Sequence, residues 1–207
     1  MQKNLLLKAG MAALVLSFAG CGGFKAQRVD EKTADEKAMD VTDEWVDGDT
    51  MRVIDETLAA INDHKKFQKT LAGRGGKDLK LFVGEIKNNT SEAYFPAHDM
   101  EDALLEKLSD SETFTLIDAK QREALLKEIT YQGDGMVNPA QAKKIGKQSG
   151  ADALLFATVN MDPKTRDGKT VKTYTVNFRL TDLETGEEML RTRAKINKIS
   201  TQKGSGW

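Results

Sequence analysis

The chain has 207 residues, of which 31 are basic, 32 are acidic and one is cysteine, and its formal net charge is −1. This balance lacks the clustered positive charge that nucleic-acid-binding domains carry. A single cysteine also excludes an intramolecular disulfide, so the hydrophobic core must stabilise the folded part. The length suits one domain with additional terminal segments.

The N-terminal residues have the pattern of a bacterial export signal. Two lysines precede an apolar run from Ala9 to Phe18, which ends in Phe18-Ala19-Gly20-Cys21. The run is about half of the roughly twenty residues that cross a bilayer, so it predicts a signal segment and not a membrane anchor. Its end resembles a lipobox, which makes residues 1–20 a lipoprotein signal peptide and Cys21 the lipidated residue. An ordinary secretory signal and an uncleaved N-terminal helix are the alternatives.

Residues 21–48 are predicted to form a flexible acidic tether. Up to Asp49, this stretch carries four basic and nine acidic side chains, few apolar ones and no periodic pattern. Such a segment buries too little apolar surface to offset the entropy of ordering it. Its reach is about 90 Å when fully extended and about 30 Å as a random coil. We expect Trp45 to be its first contact with the domain.

The first half of the predicted domain alternates helices and strands. Apolar residues at 51, 54, 58 and 61 share one face of a helix that is capped by Asp49 or Thr50 and continues to Leu71. Residues 79–87 are apolar on both faces, which is typical of a buried strand. After a polar loop, a second helix with its cap at His98 or Asp99 leads to a strand at 114–117.

The second half is predicted to contain helices at 119–130 and 138–150 and then three strands. Residues 151–160 are apolar on both faces, and a turn is expected at 162–168. Apolar and polar residues alternate along 174–180 and again along 190–196, as in strands with one wet face. Residues 49–200 therefore predict one α+β domain with a mixed sheet and helices packed mainly on one face, followed by a disordered tail at 201–207.

No set of residues has the spacing of a catalytic or metal site. His64 and His98 have no cysteine or histidine at metal-binding spacing, and Ser149 has no histidine nearby to activate it. The glycine-rich run at 73–77 lacks the spacing of a phosphate-binding loop, and the run at 47–49 has too few ligands for calcium. We therefore predict a protein that is not an enzyme and has no cofactor, metal or small-molecule substrate.

Two surfaces are candidates for partner binding. Arg179, Arg191, Arg193 and Lys195 are predicted to project from adjacent strands on one side of the sheet, and we call them the cationic face. It suits an acidic protein or anionic glycan and lipid groups, although charged faces also keep exposed sheets soluble. The second candidate is the polar loop that contains Asn88 and Asn89, for which a plain connecting role is the alternative.

Four segments in succession resemble the LpoB family of penicillin-binding protein activators. They are VGEIKNNTSE at 83–92, FTLIDAKQREALLKE at 114–128, IGKQSGADALL at 145–155 and LTDLETGE at 180–187. The segments are structural and not reactive, so their order carries the resemblance. The same domain shape occurs in CsgG and in the N-terminal domain of TolB, which makes this fold the expected one.

The resemblance implies an outer-membrane lipoprotein on the periplasmic face that binds a class A penicillin-binding protein and stimulates peptidoglycan synthesis. Gly22 agrees with outer-membrane sorting, because aspartate at that position is the usual inner-membrane retention signal. The tether departs from the family pattern, since residues 22–49 contain no proline. The alternatives are a CsgG-like assembly or secretion subunit, for which no spare strand pair is evident, and an envelope scaffold lipoprotein.

Overall fold

The computed structural model describes residues 26–118, 147 and 149–201. In these residues the helices are α1 (Glu31–Val41), α2 (Asp47–Asp63), α3 (Lys65–Ala72) and α4 (Ala97–Ser109). The strands are β1 (Leu79–Asn88), β2 (Phe114–Leu116), β3 (Ala153–Arg166), β4 (Lys169–Asp182) and β5 (Glu188–Thr201). The helices predicted at 119–130 and 138–150 lie outside the described residues except at 147, 149 and 150, and so does the predicted tail except at Thr201. Within the described ranges, no helix is both long enough and apolar enough to span a membrane.

A five-stranded mixed sheet in the order β2-β1-β3-β4-β5 forms the centre of the fold. β1 is parallel to β2 and to β3, and α4 connects β1 to β2. β3, β4 and β5 form an antiparallel meander. Parallel strands that are neighbours in a sheet need a long crossover connection between them, such as α4 between β1 and β2. Antiparallel neighbours need only a turn, so β3, β4 and β5 follow one another without a helix between them. The predicted α+β class with a mixed sheet is confirmed.

The central strands bury side chains on both of their faces. Leu81 and Leu155 belong to the larger core cluster, to which α2, α3 and α4 also contribute. Phe82, Leu154 and Phe156 form a smaller cluster on the opposite face and are at most 4% exposed. Burial on both faces explains why these two strands lack the alternation that β4 and β5 show.

The helix predicted at 49–71 is two helices. Asp49 does not precede the first one: it lies in the first turn of α2, where its carboxylate accepts a hydrogen bond from the Val46 N–H at 3.0 Å. His64 separates the helices, and its Nδ1 accepts a hydrogen bond from the Phe67 N–H at 3.1 Å, capping α3. The apolar periodicity continues across His64, so the sequence pattern does not reveal the break between α2 and α3.

The segment predicted to be an irregular tether contains the helix α1, so that part of the prediction is wrong. Asp30 caps α1 by accepting a hydrogen bond from the Thr33 N–H at 3.1 Å. Asp35 then accepts a hydrogen bond from the Gly48 N–H at 3.2 Å, at the positive N-terminal end of α2. α1 buries none of its residues. The Asp30 cap and the contact between Asp35 and Gly48 stabilise α1. Neither contact produces an apolar periodicity, so the sequence pattern does not predict this helix.

β3 extends to Arg166, through most of the turn predicted at 162–168. The connection to β4 is only Asp167-Gly168, with φ angles of 50° and 71°. Two positive φ angles are typical of a tight type I′ hairpin. Pro163 suggested a turn, but it lies beyond Val159, where the pairing of β3 with β1 ends. A proline is tolerated there because that part of β3 has one unpaired edge.

Candidate partner-binding surface

The structure brings the four residues of the cationic face together. Arg179 of β4 lies opposite Arg191 of β5, and Thr175 lies opposite Lys195. All of these residues have odd numbers, whereas the buried residues of β4 and β5 have even numbers. Strand side chains alternate between the two sides of a sheet, so the cationic face lies on the side opposite α2, α3 and α4. Its binding role stays a prediction.

The four cations differ in how much of their charge is neutralised. Arg191 forms a two-point ion pair with Glu188, with nitrogen–oxygen distances of 3.0 and 2.6 Å. The Arg191 hydrogen bond, followed by the charges of Arg191 and Arg179, lowers the pKa of the Glu188 carboxyl although burial opposes this. Arg193 donates to the side-chain oxygen of Asn177 at 2.9 Å, which orients its guanidinium without neutralising it.

Arg179 has the most enclosed position on the cationic face. Its guanidinium carbon lies 6.0 Å from the centre of the Phe156 ring, within the range of a cation–π interaction. Its Nη1 atom is buried and has no hydrogen-bond partner among the described residues. Arg193 and Lys195 are exposed, and no carboxylate of the described chain pairs with them. They are therefore the two charges most open to a partner.

The side chains of Asn88 and Asn89 are used within the protein. The Asn88 side-chain oxygen accepts hydrogen bonds from the Thr90 N–H at 2.8 Å and the Thr90 hydroxyl at 2.7 Å. Its amide donates to the Glu92 carbonyl at 3.0 Å. The Asn89 side-chain amide donates to the side-chain oxygen of Asn160 at 3.4 Å, and the Asn89 backbone N–H donates to the Val159 carbonyl at 2.8 Å. These contacts shape the loop, which favours the connecting role for both residues.

Sequence reasoning missed an ionic network at the end of the sheet where the tether meets the domain. The Lys172 ammonium lies 2.9 Å from a carboxylate oxygen of Asp43 and 2.9 Å from one of Glu92. Tyr174 donates its hydroxyl to the same Glu92 oxygen, and the Ser200 hydroxyl donates to Asp43 at 2.5 Å. We use the term ionic network for these three residues, Asp43, Glu92 and Lys172, together with the ion pair between Lys198 and Asp49.

Lys198 forms the second part of the ionic network. Its side chain is 1% exposed, and its ammonium lies 2.5 Å from a carboxylate oxygen of Asp49. The same ammonium donates to the Glu44 carbonyl. Asp49 therefore closes the first turn of α2 and also neutralises a buried cation.

The indole of Trp45 packs against two aromatic rings beside the ionic network. Its ring centre lies 5.1 Å from that of Phe95 and 5.2 Å from that of Tyr174. Its N–H donates to the Thr50 hydroxyl at 2.8 Å, so the buried polar group is satisfied. Trp45 is 7% exposed and packs into the domain, but it is not the first contact as expected, because Asp43 already contacts Lys172 and Ser200.

The ionic network explains three shifted pKa values. The Ser200 hydrogen bond and then the Lys172 ammonium lower the pKa of Asp43. Burial acts to lower the pKa of Lys172, but the hydrogen bonds that its ammonium donates to Asp43 and Glu92 outweigh burial and raise this pKa. Burial and then the Glu92 hydrogen bond raise the pKa of Tyr174. Asp43 and Lys172 therefore keep their charges at neutral pH.

We expect the docking of residues 43–46 to depend on pH only at the extremes. A lowered Asp43 pKa stabilises docking at pH values above 3.8, and this stabilisation is lost as the pH falls through the folded-state value. A raised Lys172 pKa stabilises docking below 10.5 and is lost as the pH rises through its folded-state value. Trp45 fluorescence, measured in a Trp207→Phe background, should therefore be constant across neutral pH and shift to the red in acid.

The variant Lys172→Met tests this assignment. Asp43 then keeps the Ser200 hydrogen bond but loses its ion pair, so the acid transition should move to higher pH. Lys169→Met, an exposed change in the same strand, is the control and should leave the transition where it is. Equal midpoints for Lys172→Met and the unmodified chain would show that the ion pair does not hold Trp45 in place.

In the described part of the chain, no group of three or more histidine, cysteine, aspartate or glutamate side chains has the geometry of a metal site. A family model described as the peptidoglycan-synthase activator LpoB matches residues 49–196, which is more than half of the chain. The chain belongs to the LpoB family. Members of this family are regulatory activators and do not form a catalytic family.

Several solved structures resemble the chain in fold. The LpoB C-terminal domain from Salmonella enterica has 18% sequence identity and a TM-score of 0.45, with 64% of this chain and 93% of that chain covered. The LpoB C-terminal domain from Escherichia coli has 20% sequence identity and a TM-score of 0.43, with 63% of this chain and 94% of that chain covered. Lipoprotein GNA1162 from Neisseria meningitidis has 22% sequence identity and a TM-score of 0.44, with 61% of this chain and 88% of that chain covered. No curated protein sequence matches the chain.

The family match and the ionic network overlap only in part. Glu92, Lys172 and Asp49 lie inside the matched range of 49–196, whereas Asp43 and Lys198 lie outside it. The network therefore joins the LpoB domain to the segment that leads into it. In sequence, one signal pointed to this network: Lys172 and Lys198 have the even numbering of the buried residues in their strands.

Proposed function

We propose that this protein is an outer-membrane lipoprotein, anchored through Cys21 on the periplasmic side, that binds and activates a class A penicillin-binding protein. Membership of the LpoB family is the observation that carries this proposal, because the family consists of peptidoglycan-synthase activators. The lipobox-like sequence that ends at Cys21 and the Gly22 that follows it support the location.

We further propose that the cationic face is the contact with the synthase. A row of exposed cations on a rigid sheet favours an acidic protein surface and accelerates the encounter with it. Arg193 and Lys195 are the central residues of this contact, since their charges are open to solvent. Arg191 is less available, because Glu188 already occupies its guanidinium.

The helix α1 shortens the distance over which this protein can act. Its 11 residues rise about 16 Å, far less than the same residues in extended form. Residues 21–30 add about 30 Å when fully extended. The domain therefore lies within about 50 Å of the lipid, not the 90 Å of a fully extended tether. The synthase must present its contact domain within this distance of the outer membrane plus the length of the LpoB domain itself.

Reversing the two open charges is the direct test of the contact. In the chain from residue 21 with Cys21→Ser, the double variant Arg193→Glu, Lys195→Glu should bind the organism's own class A synthase at least about tenfold more weakly. Both side chains are exposed, so thermal unfolding should change little. Affinity is measured by surface plasmon resonance at physiological salt.

The matched control is Lys65→Glu, Lys66→Glu, which makes the same change in charge in the exposed first turn of α3. Acidic residues suit a helix N-terminus, so this control should fold and bind normally. Equal affinity of both double variants would discard the cationic face as the contact. If the unmodified chain bound none of the class A synthases, the proposed partner would be wrong.

A further inference from the structure

The large apolar side chains that are exposed in the described residues gather at one end of the domain. They are Met39 (49% exposed), Val41 (84%), Tyr94 (98%) and Ile199 (71%). Met39, Val41 and Ile199 line one groove of about 430 Å³ together with Glu44. Tyr94 lines a hollow of about 60 Å³ beside it, again with Glu44. Residues from three distant parts of the sequence thus place exposed apolar side chains in two neighbouring hollows that share Glu44.

The helix that forms one wall of this groove is uncovered. α1 has 11 residues and buries none of them, although helices of this length are marginal in water without packing. It is held near α2 by the Asp35 carboxylate, which leaves no room for a Cβ atom at Gly48. Gly48 therefore permits this close approach. The contact positions α1 while its apolar end, with Met39 and Val41, faces solvent.

The charges open to solvent in the groove are negative. Asp40 and Glu44 are exposed, and no cation of the described residues is ion-paired with either. Lys198 lines the groove, but its ammonium is buried against Asp49. Asp43 is likewise neutralised by Lys172. A groove that presents three exposed apolar side chains beside open carboxylates is complementary to a segment that carries both apolar and basic residues.

We propose that this groove binds a segment of a partner protein in which apolar side chains are flanked by lysine or arginine. Anionic lipid is disfavoured because Asp40 and Glu44 would face its phosphates. A symmetric dimer is disfavoured because it would bring the same acidic edges together. The groove is opposite in charge to the cationic face, and its assignment does not depend on the proposed function.

Short fluorescent peptides test the recognition chemistry on the chain from residue 21 with Cys21→Ser. The three probes are an amphipathic leucine–lysine peptide, a leucine–glutamate peptide and a serine–lysine peptide of equal length. In fluorescence anisotropy we expect the leucine–lysine peptide to bind at least about tenfold more tightly than the other two. Equal binding of the serine–lysine peptide, preference for the leucine–glutamate peptide, or no binding of any of the three would overturn the proposal.

Variants localise the binding to the groove. Val41→Ser with Ile199→Ser, and separately Asp40→Lys with Glu44→Lys, should each weaken the leucine–lysine peptide by about tenfold. The matched charge control is Asp110→Lys with Glu112→Lys, at exposed positions between α4 and β2, and it should bind normally. Circular dichroism and thermal unfolding establish that each variant is folded. Unchanged binding by both groove variants would contradict the assignment.

Two further measurements address the other occupants. Sedimentation with vesicles of phosphatidylethanolamine and phosphatidylglycerol should leave the unlipidated chain in the supernatant, and sedimentation velocity should give a monomer at micromolar concentration. Vesicle binding that Val41→Ser with Ile199→Ser abolishes would reassign the groove to the membrane. A dimer abolished by the same variant would reassign it to a second copy of the chain.

Discussion

Replacing Lys198 by methionine is expected to lower the free energy of unfolding by about 3–5 kcal/mol. The Lys198 side chain is 1% exposed and lies 2.5 Å from the Asp49 carboxylate, which is itself only 14% exposed. Methionine fills similar space but leaves this carboxylate without its cation. The Glu44 carbonyl also loses its donor. Urea denaturation followed by circular dichroism measures the change.

A double variant separates the charge from the packing. In Lys198→Met with Asp49→Asn no unpaired charge remains, and the asparagine oxygen can still accept the Val46 N–H, so most of the lost stability should return. Lys195→Met, on the exposed side of the same strand, should cost under about 0.5 kcal/mol. A cost this small for Lys198→Met would mean that the buried ion pair contributes nothing to stability.

Replacing Trp45 by alanine is expected to cost about 3–5 kcal/mol, the usual range for removing a buried aromatic side chain. The change removes the ring that packs between Phe95 and Tyr174 and leaves the Thr50 hydroxyl without its donor. Residues 43–46 should then separate from β4 and β5. Hydrogen exchange of their amides should become fast, while the amides of β4 stay protected.

Trp45→Phe is the graded control. Phenylalanine keeps much of the aromatic packing but lacks the N–H, so it should cost only about 1–2 kcal/mol. If Trp45→Ala unfolded at the same urea concentration as the unmodified chain, residues 43–46 would not be docked in solution.

Alternation of apolar and polar residues was sufficient to predict β4, β5 and the position of the cationic face. The strand period is two, so Arg191, Arg193 and Lys195 could only lie on the side opposite Leu190 and Ile196. The same rule marks Lys198 as buried. The sequence alone did not identify its partner, because Asp49 lies in another element and no local pattern links the two.

Tertiary contacts determined the features that local patterns could not predict. α1 depends on a hydrogen bond between Asp35 and Gly48, which joins two elements. The ionic network joins Asp43, Glu92 and Lys172 from three distant segments. β3 continues past Pro163 because the register with β4 extends to the pair Arg166–Lys169. Each of these features follows from pairing across the chain and not from the composition of one segment.

In the described residues, the helix α1, the docked junction at 43–46 and the LpoB domain follow one another along the chain. The ionic network and Trp45 fix the junction to β4 and β5, so the cationic face has a defined direction relative to the chain that leads to Cys21. A fixed direction reduces the orientational freedom that the proposed contact with a synthase would lose on binding. The proposed activation therefore requires both the face and the junction.

The rate of glycan polymerisation by a purified class A synthase of the same organism tests the central claim most directly. We predict that the chain from residue 21 raises this rate, that Lys65→Glu with Lys66→Glu raises it equally, and that Arg193→Glu with Lys195→Glu does not. A rate that the unmodified chain leaves unchanged, or that the Arg193 and Lys195 double variant raises as much as the unmodified chain does, would contradict the account.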